Sequence, residues 1–236
     1  MEIKPVTLVL ADISGYTRFI KDREISLLHA EQIITDLLEA VIDTAEYPLA
    51  LNKLEGDAAL LYTPVEADAA AVAQDVARQA VRFFQVFKQK RRAMIEDSGC
   101  PCDACTHIDL LELKAFLHIG EAVVKQVRQF EELGGEDVIL VHRLLKNSVG
   151  ASEYLMMTAA FHRLSGDLAG WQRAAHTEEY ETIGRVDTAV FYPPCDLAPA
   201  RMPAAGVDRA GESPFALEPL RRSLTGDALE FRHLPR

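Results

Sequence analysis

No hydrophobic run in this chain lasts long. Each is broken within a few residues by Asp, Glu or Lys, which argues against a transmembrane helix. An apolar signal core is missing after Met1-Glu2-Ile3-Lys4-Pro5, so the expected location is the cytoplasm. Basic charge is scarce as well. There are 25 Lys and Arg against 36 Asp and Glu, a net charge of −11, which argues against a broad basic face for nucleic acid. Neither nucleic acid nor a membrane is therefore expected as a partner. Only four cysteines occur, and three of them crowd into Cys100–Cys105. In a reducing compartment such a cluster favours thiolates or a bound metal over disulfides. Internal repeats are also missing. What the chain does have is 49% hydrophobic residues over 236 positions, enough for one substantial core.

Patterning divides the chain into alternating elements. Thr7 to Ala11 is a short apolar strand closed by Asp12-Ile13-Ser14-Gly15. Ser26 to Glu46 carries apolar residues at helical spacing and stops before Pro48. Leu49–Leu54 and Ala58–Tyr62 read as a hairpin turning at Glu55-Gly56-Asp57. A second long helix runs from Asp68 to Met94, its basic run Lys88–Arg92 suiting a solvated C-terminus. Leu111–Gly120 and Ala122–Arg128 are expected as two paired strands about Gly120, and Glu131–Asp137 as an acidic loop. A short helix at Val138–Asn147 and strands at Tyr154–Met157 and Tyr180–Tyr192 complete residues 1–193, taken as one domain with a cysteine-rich insertion at 98–107. Residues 194–236 read as a partly irregular tail, with one short helix near Ala216–Ser223.

The order strand, helix, strand, strand, helix, strand is the split βαβ pattern of a ferredoxin-like fold. It predicts an α+β domain, an antiparallel sheet with helices on one face. In that topology the first and third strands are antiparallel neighbours. Asp12, past the end of one, and Asp57, at the start of the other, then meet at one edge of the sheet. Taken singly, Asp12 also suits a helix N-cap and Asp57 an ordinary turn.

At this point the residues resemble a known family. Leu10-Ala11-Asp12-Ile13-Ser14-Gly15-Tyr16-Thr17 resembles the first metal motif of class III adenylate and guanylate cyclases, and Lys53-Leu54-Glu55-Gly56-Asp57 their second. Leu117-His118-Ile119-Gly120 resembles a later family strand, and Asp137–Leu144 a late family helix. The spelling is most similar to a bacterial branch, a domain of unknown function (DUF2652). The resemblance implies a homodimer with interfacial sites that bind a nucleoside triphosphate and form a 3′,5′-cyclic nucleotide. By that resemblance Asp12, Asp57 and the Ile13 carbonyl hold Mg²⁺ or Mn²⁺. Ser14, Gly15 and Thr17 face the phosphates, Lys53 and Glu132 read the base, and Arg143 is the catalytic residue opposite the transferring phosphate. Lys53 and Arg143 then come from the subunit opposite the metals. Ile139 stands where the family has an Asn that orients the ribose, so a catalytically inactive relative, a nucleotide-sensing or protein-interaction dimer, stands as the alternative.

Cys100, Cys102, Cys105 and His107 offer four soft ligands to a structural Zn²⁺, with Cys195 or His118 as a substitute for one; reduced thiols or a redox pair are the alternatives. A zinc-stabilised binding module whose acids are only structural is a third functional reading. His29, His142, His162, His176 and His233 read as surface or packing residues, Trp171 with Phe161 as a minor core contact, and Phe83, Phe84 and Phe87 as core or dimer surface.

Overall fold

The strand that opens the chain is buried on both faces, which is why it reads as an unbroken apolar run and not as an alternating one. In the computed structural model, which describes residues 1–20, 27–66, 68–195 and 197, this strand is β1 (Glu2–Ser14). It is followed by α1 (Tyr16–Ile20), α2 (Leu27–Ile42), β2 (Ala50–Glu55), β3 (Ala58–Pro64), α3 (Ala69–Asp97) and α4 (Asp103–Thr106). A single 3₁₀ turn at Ile108–Leu110 leads into β4 (Glu112–Val127), β5 (Phe130–Gly134), α5 (Glu136–Leu144) and β6 (Tyr154–Thr158). The last elements are α6 (Ala159–Ser165), β7 (Gln172–Tyr180) and β8 (Gly184–Tyr192).

Among the described residues the strands form one sheet in the order β2-β3-β1-β4-β6-β8-β7, with β5 added to the far half of β4. The β2-β3-β1-β4 part, with α2 and α3 as its crossovers, is the expected split βαβ unit. The sheet is mixed, because β6 runs parallel to β4.

Two cores flank the sheet. Val9, Ala11 and Ile13 of β1 pack with α2, α3 and α6, including Ile33, Leu37, Phe83, Phe84, Phe87 and Phe161. Val6, Leu8 and Leu10 pack on the other side against Val138, Val141 and Leu144 of α5. The expectation of helices on one face therefore holds for α2, α3 and α6, while α5 covers the opposite face. The Phe83–Phe87 cluster is core, and Trp171 meets Phe84 edge-on with ring centroids 5.1 Å apart.

Several boundaries differ from expectation for local reasons. The long helix α2 ends at Ile42; the start expected at Ser26 lies outside the described residues, as does the tail beyond 197. Asp68 caps α3, accepting from the Ala70 and Ala71 amides, and the helix continues past its basic run to Asp97. That run is not simply a solvated end: Lys88 pairs with Glu153 at 2.9 Å and Arg91 with Glu112 at 2.8 Å.

The two strands expected around Gly120 are one, β4, paired with β1 from Glu2–Val124 to Ser14–Glu112. Gly120 is not a turn glycine. It leaves room for a neighbour, since a Cβ built there would collide with the Asp137 carboxylate. The supposed acidic loop after it is mostly β5 and the first two residues of α5. Likewise Tyr180–Tyr192 is not one strand: β7 and β8 are joined by a turn that closes at Gly184, φ +83°.

Candidate metal and nucleotide site

Asp12 lies at the end of β1, in register with Ala58 on β3 and Lys114 on β4. The β2–β3 turn, made possible by Gly56 at φ +66°, brings Asp57 beside it, and the Ile13 amide donates to the Asp57 carbonyl at 3.0 Å. Burial and the neighbouring Asp57 charge push the Asp12 carboxyl up to about 6, with Lys114 opposing. Asp57 is also raised, first by burial and then by Glu31 on α2. Tyr16 donates its hydroxyl to Glu31 at 2.9 Å. The end of the sheet thus gathers a half-desolvated carboxylate pair with a third acid close by, a donor set suited to hard divalent cations.

The turn that follows is held tightly. Gly15 has φ +93°, and a Cβ there would sit 2.8 Å from the Leu110 carbonyl oxygen, so both its conformation and its neighbour require glycine. Ser14 is half-buried and Thr17 exposed. The Gly15 carbonyl accepts from Phe19 at 2.8 Å as α1 begins.

A second group assembles on the face covered by α5. Lys53, opposite Leu60 in register, pairs with Glu55 at 2.9 Å and reaches Glu132 at 3.8 Å. Glu131, the other acid at that point of β5, is taken up by the Tyr62 hydroxyl, which leaves Glu132 as the acid facing Lys53. Burial pushes Glu55 upward, yet Lys53 and His142 together hold its carboxyl below its ordinary value; His142 Nε2 lies 2.8 Å from Glu55. Ile139 and Arg143, one turn apart on α5, are both exposed and share a groove of about 550 Å³ with Leu133, Gly135, His142 and Lys146.

His118 is not available to a metal in the cysteine loop. It is buried, 2.9 Å from both Thr158 Oγ1 and Asp137 Oδ1, and Asp137 also accepts from the Glu121 amide at 2.6 Å. Burial lowers the His118 pKa despite the Asp137 partner, and the ring ties α5 to β4 and β6.

The cysteine loop also departs from the expected ligand set. His107 turns away: its Nδ1 lies 2.7 Å from the Asp103 carbonyl oxygen. The histidine among the sulfurs is His29, from α2. Its Nδ1 is 3.6, 3.4 and 3.7 Å from the sulfurs of Cys100, Cys102 and Cys105. Cys195 is exposed and stands apart from this group.

A family model described as a protein of unknown function (DUF2652) matches residues 34–154, more than half of the chain. The chain belongs to the DUF2652 family. Uncharacterized protein Rv2561/Rv2562 of Mycobacterium tuberculosis is 36% identical to it over 177 residues, 75% of this chain and 79% of that protein. The fold of this DUF2652 protein is that of class III cyclase catalytic domains. The adenylyl cyclase CyaB from P. aeruginosa superposes with a TM-score of 0.62 at 17% identity, over 82% of this chain and 96% of that one. The guanylate cyclase domain of RhGC from Catenaria anguillulae, in complex with GTP, gives 0.57 at 15% identity, over 82% and 99%.

In this DUF2652 protein, then, Asp12 joins Asp57, Lys53 joins Glu132, and Ile139 joins Arg143. His107, His118 and Cys195 stay apart from the sulfur cluster. Sequence reasoning missed Glu31, Glu55, Lys114, His142 and His29. For Glu55 the signal was present, two positions from Lys53 along a strand and therefore on the same face. For Lys114 and His29 none was, because each depends on the register or the docking of a distant element.

Proposed function

We propose that this protein binds a nucleoside triphosphate with two divalent cations, Mg²⁺ or Mn²⁺, at the interface of a head-to-tail homodimer, and slowly forms a 3′,5′-cyclic nucleotide. The observation that carries this reading is the half-buried Asp12 beside Asp57, its carboxyl pushed up to about 6. Two acids that oppose each other's ionisation form a site that gains from divalent charge.

Asp12, Asp57 and the Ile13 carbonyl would hold the cations, which supply charge to the triphosphate and acidity to the ribose 3′-hydroxyl. Lys53 and Glu132, a donor and an acceptor 3.8 Å apart, present complementary groups to a base edge. Arg143, exposed on α5, offers a guanidinium to phosphate oxygens across the interface. Ile139, 53% exposed in the same groove, offers no hydrogen bond to a sugar. Losing one such oriented contact costs on the order of a hundredfold in rate.

Ile139 also favours a second reading, a nucleotide-sensing dimer without turnover. One experiment separates the two. Purified protein is incubated with Mn²⁺ and each of the four triphosphates, and both product and bound nucleotide are measured. A cyclic product lost in Asp12→Ala and Asp57→Ala supports the cyclase; metal-dependent binding without product, lost in the same variants, supports the sensor. If no triphosphate binds, both readings fail.

A further inference from the structure

We propose that His29, Cys100, Cys102 and Cys105 bind one structural Zn²⁺ that staples the α3–β4 connection to the first turn of α2. The four ligand atoms lie within 4.8 Å of one another. In a tetrahedral site, Zn–S bonds of about 2.3 Å and Zn–N bonds of about 2.0–2.1 Å put each sulfur about 3.5–3.6 Å from the nitrogen. The three observed separations, 3.4, 3.6 and 3.7 Å, bracket that value.

Hydrogen bonding does not account for the same arrangement. Nδ1 of a histidine has either one proton or one lone pair, so it can satisfy one thiol and not three. Four ligands sharing one centre explain why all three sulfurs converge on a single ring atom. None of the three cysteines is in a disulfide. The spacing of the ligand atoms suits one ion, and three sulfurs with an imidazole suit zinc.

Local structure places a donor on one of the sulfurs. Cys102 precedes α4 as its N-cap, and its sulfur accepts the Cys105 amide at 3.5 Å, which holds that sulfur beside the other ligand atoms. Cys105 is buried and the other three ligands are half-buried, so the set is closed by protein, as in a structural site.

The ligands come from positions 71 to 76 residues apart, so the metal joins two elements that nothing in the sequence joins. The segment it fixes continues to Leu110, whose carbonyl lies against Gly15 in the turn after Asp12. A structural metal therefore sits behind the carboxylate turn, although its own presence does not depend on nucleotide binding.

The test is elemental analysis of the full chain, purified under reducing conditions without added metal, followed by Co²⁺ replacement. The expected result is about one zinc per chain, released by a thiol-blocking mercurial, and a Co²⁺ form with sulfur-to-metal charge-transfer bands and intense tetrahedral d–d bands. His29→Ala should weaken zinc retention against a chelator on the order of a hundredfold or more, while His107→Ala leaves it unchanged. Should His29→Ala fail to fold, His29→Cys restores a fourth ligand and should retain zinc. Protein without zinc, protein holding iron instead, an intramolecular disulfide found by thiol counting, or zinc lost in His107→Ala but kept in His29→Ala would each overturn the proposal.

Discussion

Asp12 carries an electrostatic cost whenever it ionises, because it is half-buried and lies beside Asp57. The sign of its pH effect follows from linkage. Between the ordinary value of 3.8 and about 6, the unfolded chain has lost a proton that the folded chain keeps. Metal-free stability therefore falls as pH rises through that window and is flat above it, as far as this group is concerned. Asp12→Asn removes the charge and keeps the shape. Thermal melting at pH 7 in chelator should show the variant more stable by about 2–3 kcal/mol, with the gap closing toward pH 4. Added Mn²⁺ should raise the melting temperature of the wild type and leave the variant unmoved. A variant less stable than the wild type without metal would mean that the pair is held together by something other than a cation. Ile139 is a second single-residue test. Ile139→Asn puts a polar group at the exposed groove position one turn from Arg143, and under the cyclase reading turnover with Mn²⁺ should rise about 10- to 100-fold. Unchanged turnover in a folded variant would place the sugar elsewhere.

At the scale of elements, the joint between β4 and α5 is the part most sensitive to a small change. Asp137 binds His118 and the Glu121 amide, and it occupies the space that a Gly120 side chain would need. Gly120→Ala must displace Asp137 from both partners. It should cost about 1–3 kcal/mol in denaturant unfolding, whereas Gly150→Ala, with open space around it, should be near neutral. The same joint shows what the sequence could convey. Asp12 and Asp57 are legible because each belongs to a short segment whose strand and turn are dictated locally, whereas Lys53 stands out only through the resemblance to the cyclase motif. β4 was not read as one strand because a glycine between apolar runs looks like a turn, and the Asp137 carboxylate that explains it lies on another element. His29 reads as a surface or packing residue for the same kind of reason: α2 has helical patterning, but nothing in it tells which loop docks beside its first turn.

At the scale of the whole molecule, the arrangement of the two groups bears on assembly. A nucleotide cannot be enclosed by one copy if Asp12 and Asp57 serve one end of the ligand and Arg143 is presented outward on α5, where its side chain is exposed. Ile139, and Phe130 and Val127 at the tip of the β4–β5 hairpin, are apolar and 53%, 60% and 48% exposed, surface that a second copy can cover. A two-fold dimer would contain two equivalent sites, each built from the carboxylates of one protomer and the arginine of its partner. Mixing defective copies tests this directly. Asp57→Ala and Arg143→Ala should each lose metal-dependent nucleotide binding as homodimers. Refolded together at equal concentration, half of the dimers are mixed, and each mixed dimer holds one doubly defective site and one intact site. About a quarter of the wild-type sites should therefore return. Sites contained within single chains would regain nothing, because every chain in the mixture still lacks one of the two residues.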